Sequence, residues 1–389
     1  MKSYLKSIGT AVPKYKNAQK DITLFMANSS GMSTEEKNQL HILYRASGIN
    51  YRHSVIPDFG KLNGEYVFFP NTPDLEPFPT VGEKMQLYKE EALPLAIKAV
   101  ENCFNSLDDY NPAELTHLIT VSCSGMYAPG LDIELVERLS LSKNIQRTCI
   151  NFMGCYAAFN ALKIADAICR SDKNAKVLIV CIELCTIHYQ KSKNWDQLLS
   201  NALFSDGAAA VLVEGTKPIK GTSMSLENFH CDLAPEGKSE MAWQISDFGF
   251  EMKLSSYVPE LIKNGIGKLT ETLLKKLKLS TKEIDFYAIH PGGKKIIEVI
   301  ESVLSIDKTK SIFSHNVLRE YGNMSSPTVL FVLKEILSQL KDTDDQKNIL
   351  SFAFGPGLTL ESMLLKVHCT VSLENLVSEK IASPITEHV

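Results

Sequence analysis

Five short runs of the chain are apolar at nearly every position: THLITVS (116–122), AKVLIVCIE (175–183), GAAAVLVEG (207–215), IDFYAIH (284–290) and NILSFAFG (348–355). Continuous rather than alternating apolarity predicts strands covered on both faces. Helical periods lie between them. Residues 83–107 form a long amphipathic pattern, and residues 258–278 and 294–304 keep a polar face. Residues 157–170 (AAFNALKIADAICR) are apolar on almost every side, which predicts a helix buried between layers. Residues 326–340 open with Ser326 and Pro327, a natural cap and first-turn pair.

Strands alternating with helices predict an α/β fold. The order strand, candidate residue, helix occurs around Cys155 and again around His290, which suggests duplicated halves without a clear sequence repeat. The pattern breaks at GTKPIKG (215–221), so the halves are expected at 1–215 and 216–369, with 370–389 a polar extension.

Composition narrows the function classes. The chain has 389 residues, 44% apolar and 22% charged, and a formal net charge of -4. No strong field points to nucleic acid or an anionic membrane. No apolar stretch reaches the roughly 18 residues of a membrane span, and the start lacks a signal-peptide run. Nine cysteines lie without a CxxC pair or metal-ligand spacing, so a reducing cytoplasm and no metal are expected. Neither GxGxxG nor a P-loop occurs, and no bound nucleotide cofactor is implied.

Candidate chemistry centres on three residues. Cys155 follows a Gly and opens the buried helix, where the helix dipole favours a thiolate. A cysteine in this chain is more often inert core, so its context has to carry the case. His290 ends a strand and enters Pro291-Gly292-Gly293, a place where α/β folds hold ligands; an ordinary loop or core His would look the same. Asn323 precedes a helix, where it could equally be a turn former.

Together these contexts resemble one family. GCYAAFNALKIA, AIHPGG, LREYGNMSSPTVLFVL and FAFGPGLTLES are similar to the type III polyketide synthases, the chalcone synthase-like enzymes. The resemblance implies a thiolase-like fold of five αβαβα layers, a homodimer, and a catalytic triad of Cys155, His290 and Asn323. It implies an acyltransferase that joins malonyl-CoA to an acyl-CoA by decarboxylative Claisen condensation. Cys155, paired as thiolate with a His290 imidazolium, would carry the acyl group. His290 and Asn323 would stabilise the enolate.

The resemblance also implies a substrate pocket. Phe204 matches a gatekeeper Phe, and Met252 stands where plant members carry a second Phe. Ala128, in CSGMYAPG with Cys123, replaces a larger residue and would open the cavity floor. Cys185 and His188 stand where plant members often have Thr. Ser325 and the Gly355-Pro356-Gly357 turn complete the expected lining. Arg52 is the expected contact to the coenzyme A phosphates. The segment ELCTIHY is similar to bacterial members that make alkylpyrones or alkylresorcinols, so a fatty acyl starter is expected. The rival expectations are a single condensation, as in β-ketoacyl-carrier-protein synthase III, and a non-catalytic acyl-binding protein, against which the intact triad speaks.

Overall fold

The structure is a computed structural model that describes residues 1–107 and 110–370; the expected extension lies, apart from Thr370, outside the described residues. The N-terminal half runs β1 (Ser3–Ala11), β2 (Tyr15–Ala18), α1 (Gln19–Ser29), α2 (Thr34–Ala46), β3 (Tyr51–Ser54), α3 (Val81–Phe104), β4 (His117–Ser122), α4 (Leu131–Arg138), β5 (Gln146–Asn151), α5 (Ala157–Ser171), β6 (Lys176–Leu184), α6 (Trp195–Leu203) and β7 (Asp206–Glu214). The C-terminal half runs β8 (Gly221–Leu233), β9 (Met241–Ser246), β10 (Gly249–Leu254), α7 (Val258–Leu277), β11 (Phe286–Ile289), α8 (Lys294–Leu304), α9 (Lys308–Tyr321), α10 (Thr328–Gln339), β12 (Asn348–Gly355) and β13 (Thr359–Thr370).

Among the described residues, nine strands form one sheet in the order β11-β12-β13-β8-β1-β7-β6-β4-β5. Each half repeats one plan. The strands β1, β4, β6 and β7 of the first half correspond in order and pairing to β8, β11, β12 and β13 of the second. The halves join at β1 and β8, through a short antiparallel ladder from Ser3–Leu226 to Leu5–Met224.

Period-two alternation along the strands sorts side chains into three cores. Leu178 and Val180 face α3 through Ala96 and Val100. Val177 and Ile179 face the opposite way, onto Ala158 and Leu162 of α5, in a core shared with Val329 and Leu333 of α10 and Ile349 of β12. Leu350 and Phe352 face α7 through Ile266 and Leu269. Helices α5 and α10 are therefore sandwiched between the half-sheets, and the layers run α, β, α, β, α. The predominant apolarity of residues 157–170 has this cause: most of α5 is buried, and the narrow edge left open runs through Asn160, Lys163, Ala167 and Arg170. Truncating a fully buried side chain such as Phe159 would cost about 3–5 kcal/mol.

The apolar runs predicted as strands are all strands. β1 was not evident from its pattern, because Lys6 and Ser7 interrupt it where Ser7 donates to the Cys103 carbonyl at 2.5 Å. The hairpin β9–β10 lies outside the main sheet and carries mixed polarity. Ser326 does not cap α10. Its hydroxyl donates instead to Glu183 Oε1 at 2.8 Å, and the Met324 amide is taken by Thr328 Oγ1 at 2.9 Å. No helix among the described residues is long and apolar enough to cross a membrane.

Candidate active site

Cys155 sits in the turn between β5 and α5, buried. Gly154 before it takes a φ of +81°, and a Cβ there would strike the Pro356 ring. Gly355 lies against the Tyr156 ring just as closely. The turn after β12 is thus a backstop for the nucleophile's turn. A further restraint comes from beneath, where the Gly154 amide donates to Cys123 Sγ at 3.0 Å.

His290 follows β11 directly, and its amide donates to the Phe352 carbonyl at 2.8 Å. The ring is buried, yet neither nitrogen has a hydrogen-bond partner among the described residues. Asn323 is fixed by its backbone: its amide donates to Leu203 O and its carbonyl accepts from Ser205, each at 2.9 Å. This bridge pairs Asn323 with Phe204. The Asn323 Oδ1 accepts the Ser325 amide at 2.8 Å. That bond orients the side-chain amide, so Nδ2 points toward Cys155 Sγ at 4.0 Å and Gly292 O at 3.5 Å.

A pocket of about 370 Å³ brings Cys155, His290 and Asn323 together with Phe204, Met252 and Pro356. Burial pushes the Cys155 thiol up to about 11, opposed by the Ser325 and Asn323 side chains. Burial pulls His290 down to about 3. Both directions favour the neutral thiol and neutral imidazole in the empty site, because an ion pair there would be stripped of water. Burial thus acts against the thiolate–imidazolium pair expected from the motif as long as the site is empty.

Two larger cavities adjoin the pocket. One, with about 600 Å³ of empty space counted out to open solvent, shares Phe204 and Met252 with it and is walled by Ile22, Met26, Phe59, Cys185, Trp243 and Phe250, with Asn17, Gln197 and Asn201 on its polar side. The other, of about 740 Å³, shares Leu254, Gly292 and Ile296 and has Lys294 and Lys295 in its lining.

Several expected pocket residues lie elsewhere. Arg52, expected at the coenzyme A phosphates, is placed in the wall of the 600 Å³ cavity. It is buried, its Nε donates to Gln19 Oε1 at 2.8 Å, and its Nη1 donates to the carbonyls of Asn201 and Phe204 at 2.5 and 2.8 Å. It braces the backbone of the gatekeeper instead. Ala128 lies on an exposed loop and lines none of these cavities in this chain. His188 lines the 600 Å³ cavity with its ring, but both its nitrogens are engaged. Nε2 donates to Ser124 O at 2.6 Å, while Nδ1 accepts the Phe250 amide at 3.0 Å. It stacks on Phe250 at 4.3 Å, which makes it a post of the cavity wall rather than a polar contact for substrate. Cys123 supports the Gly154 turn and lines none of these cavities. Ser325 bonds through its amide to Asn323. Of the Gly355-Pro356-Gly357 turn, only Pro356 reaches the pocket.

Glu183 escaped sequence reasoning. It is fully buried and accepts the Cys123 and Ser124 amides at 2.9 and 3.0 Å, the Ser124 hydroxyl at 2.7 Å and the Ser326 hydroxyl at 2.8 Å. It ties the turn after β4 to the approach of α10. The available signal was a lone acid inside the apolar run AKVLIVCIE. Trp243 and Phe250 also went unnoticed, since nothing in a mixed hairpin marks which face meets a cavity.

The family models for the N-terminal and C-terminal domains of chalcone and stilbene synthases match residues 2–218 and 226–369. An α-pyrone synthesis polyketide synthase-like protein of Mycobacterium tuberculosis, Pks18, is 30% identical over 335 residues, covering 85% of this chain and 83% of its own. A probable polyketide synthase of Dictyostelium discoideum is 28% identical over 94% of this chain, which spans only 11% of that protein. The crystal structure of a polyketide synthase from the brown alga Ectocarpus siliculosus superposes with a TM-score of 0.87 at 28% identity, covering 94% of this chain and 98% of the other. With both domain models matched in order and the layered fold in place, the chain belongs to the chalcone and stilbene synthase family, the type III polyketide synthases, a family of condensing enzymes.

Proposed function

We propose that this chain extends a fatty acyl-CoA starter with malonyl-CoA by repeated decarboxylative Claisen condensation and closes the product to an alkylpyrone or alkylresorcinol. The observation that carries the starter is the 600 Å³ cavity beyond Phe204 and Met252, whose apolar wall gives an alkyl tail a place to lie. Each methylene buried there favours binding by about 0.8 kcal/mol. Met252 suits this position because a flexible thioether adapts to a chain passing beside it. Pks18, named for α-pyrone synthesis, is in keeping with the product.

The residues divide the chemistry as follows. Cys155 passes its proton to His290 as its sulfur attacks the starter thioester, and His290 returns the proton to the departing coenzyme A thiolate. Malonyl-CoA then enters beside the acyl-Cys155. Its carboxylate leaves as carbon dioxide, and the bond electrons pass into an enolate. The neutral His290 N–H and the Asn323 Nδ2 donate to the enolate oxygen. Both are buried and aimed into the pocket, so their stabilisation is not diluted by water. The enolate carbon attacks the acyl-Cys155 carbonyl and the thiolate leaves. No step requires a bound cofactor or metal.

The 740 Å³ cavity is the proposed entry for the pantetheine arm, with Lys294 and Lys295 taking the phosphate role first expected of Arg52. A homodimer is proposed through β5, an edge strand whose residues are mostly exposed.

The test is incubation of purified protein with malonyl-CoA and acyl-CoAs from acetyl to stearoyl, together with p-coumaroyl-CoA, followed by product masses. Expected are triketide or tetraketide products from long starters and an acyl adduct on Cys155 that disappears in Cys155→Ala. Faster turnover of the aromatic starter would overturn the starter, and a product halted after one condensation would favour the synthase III reading.

A further inference from the structure

The hairpin β9–β10 stands outside the main sheet beside the candidate site. It pairs with no strand of the main sheet, yet it supplies Met252 to the constriction between the pocket and the 600 Å³ cavity, and Trp243 and Phe250 to the cavity wall. Its placement depends on side-chain and turn contacts. Trp243 Nε1 donates to Cys123 O at 2.8 Å, the Phe250 amide donates to His188 at 3.0 Å, and the Asp247 carbonyl accepts the Val81 amide at 2.9 Å. Gln190 Nε2 donates to Phe248 O at 3.3 Å and the Gly357 amide to Met241 O at 3.2 Å, and one further contact is unusual. Lys84, in the first turns of α3, is fully buried and reaches the hairpin tip, where its Nζ donates to Phe248 O at 2.6 Å and to Tyr189 O at 3.1 Å.

Lysine is rarely buried without a carboxylate, and none lies within ion-pair distance of Lys84 among the described residues. Its charge is met by two carbonyls and by the Phe78 ring, 4.6 Å away. Burial draws it down to about 7. A leucine or methionine would fill this volume without that desolvation cost, so packing alone does not account for an ammonium here. What the ammonium adds is direction: it joins two backbone carbonyls from segments that otherwise meet through side chains. One is the hairpin tip, and the other follows the turn Cys185–His188 that carries three more residues of the cavity wall, Cys185, Thr186 and His188.

We propose that Lys84 is a positioning residue for starter selection: its ammonium fastens the tip of β9–β10 to the Cys185–His188 turn and thereby fixes the Phe204–Met252 constriction through which an acyl tail reaches the 600 Å³ cavity. Lys84 touches no substrate. It acts through Met252, and the proposal rests on the reading that starters occupy that cavity.

The experiment compares wild type with Lys84→Met, which keeps length and removes charge, and with Phe78→Leu, which keeps Lys84 and removes the ring beneath it. Hydrogen–deuterium exchange of the peptide spanning 241–254 reads the clamp without substrate. Steady-state kinetics across starter lengths, beside malonyl-CoA decarboxylation, read its consequence. In Lys84→Met the hairpin exchanges faster while the α5 peptide is unchanged. The KM of the preferred starter rises by about tenfold, the scale of one hydrogen bond to a charged group, and the chain-length preference flattens. Decarboxylation stays within about twofold, since no group that touches the enolate has changed. Phe78→Leu shifts the same quantities in the same direction by less. Unchanged hairpin exchange and an unchanged chain-length profile in a folded Lys84→Met protein would overturn the proposal. If that variant does not fold, the same null result in Phe78→Leu overturns it. Faster exchange with wild type inactive on every acyl-CoA would leave the clamp standing and sink the starter reading instead.

Discussion

The two halves share one strand plan but treat the turn after β4 and the turn after β11 in opposite ways. After β4 come Cys123 and Ser124, whose amides and hydroxyl are all taken by Glu183 from the neighbouring β6. After β11 comes His290, and the neighbouring β12 (NILSFAFG) offers no acid; the ring nitrogens stay unpaired. The entrances to the central helices diverge likewise. The turn before α5 presents a thiol, and the one before α10 presents an amide held by its own Oδ1. The turn after β4 is satisfied internally by Glu183, whereas the turn after β11 leaves the His290 ring nitrogens unpaired beside the pocket. Leaving a buried imidazole unpaired is costly, and His290 lines the pocket where a substrate could pair with it.

The largest expected effect breaks the C-terminal side of this comparison. Asn323→Ala removes one donor and should lower malonyl-CoA decarboxylation by about 100- to 1000-fold. Acylation of Cys155 should persist, as intact-protein mass spectrometry would show. Undiminished decarboxylation would remove Asn323 from the oxyanion site.

Next comes the N-terminal side. Glu183→Ala strands several buried donors at once and should destabilise the protein by about 3 kcal/mol or more. Urea unfolding measures this, and Glu183→Gln, which retains an acceptor, should lose less. Equal midpoints for Glu183→Ala and wild type would show that the tie does not hold the two turns together.

The third prediction concerns protonation. With the thiol raised by burial and His290 held neutral, raising the pH increases the thiolate fraction throughout the neutral range. Iodoacetamide labelling of Cys155 in the empty enzyme should therefore climb by up to about tenfold per unit from about pH 7 to about pH 9. A plateau reached below pH 7 would mean that the ion pair is resident after all.

The smallest effect is expected at the exposed loop. Ala128→Phe should leave the starter-length profile within about twofold, since surface substitutions away from special features are usually mild. Selective loss of long starters would show that this loop reaches the cavity of a second subunit.

Much of the architecture was legible because burial on both faces leaves a mark in every residue of a run. The strands at 175–183 and 348–355 and the helix at 157–170 show it. The triad was legible for a related reason: Gly154, His290 before Pro291-Gly292-Gly293, and Gly322 before Asn323 mark backbone positions that tolerate few alternatives. Individual pocket positions were less so. Arg52 looked like a surface cation, but whether an arginine meets phosphate or the carbonyls of Asn201 and Phe204 depends on segments about 150 residues away.

The sequence by itself determined the layers, the family and the three candidate residues that share the pocket, since each depends on local pattern or on a short motif. Tertiary structure alone decided that Glu183 joins two turns, that His188 has no free nitrogen, and that Lys84 holds a hairpin over the constriction. The physical reason is that a buried polar group is defined by its partner, and those partners lie about 60 to 160 residues away along the chain.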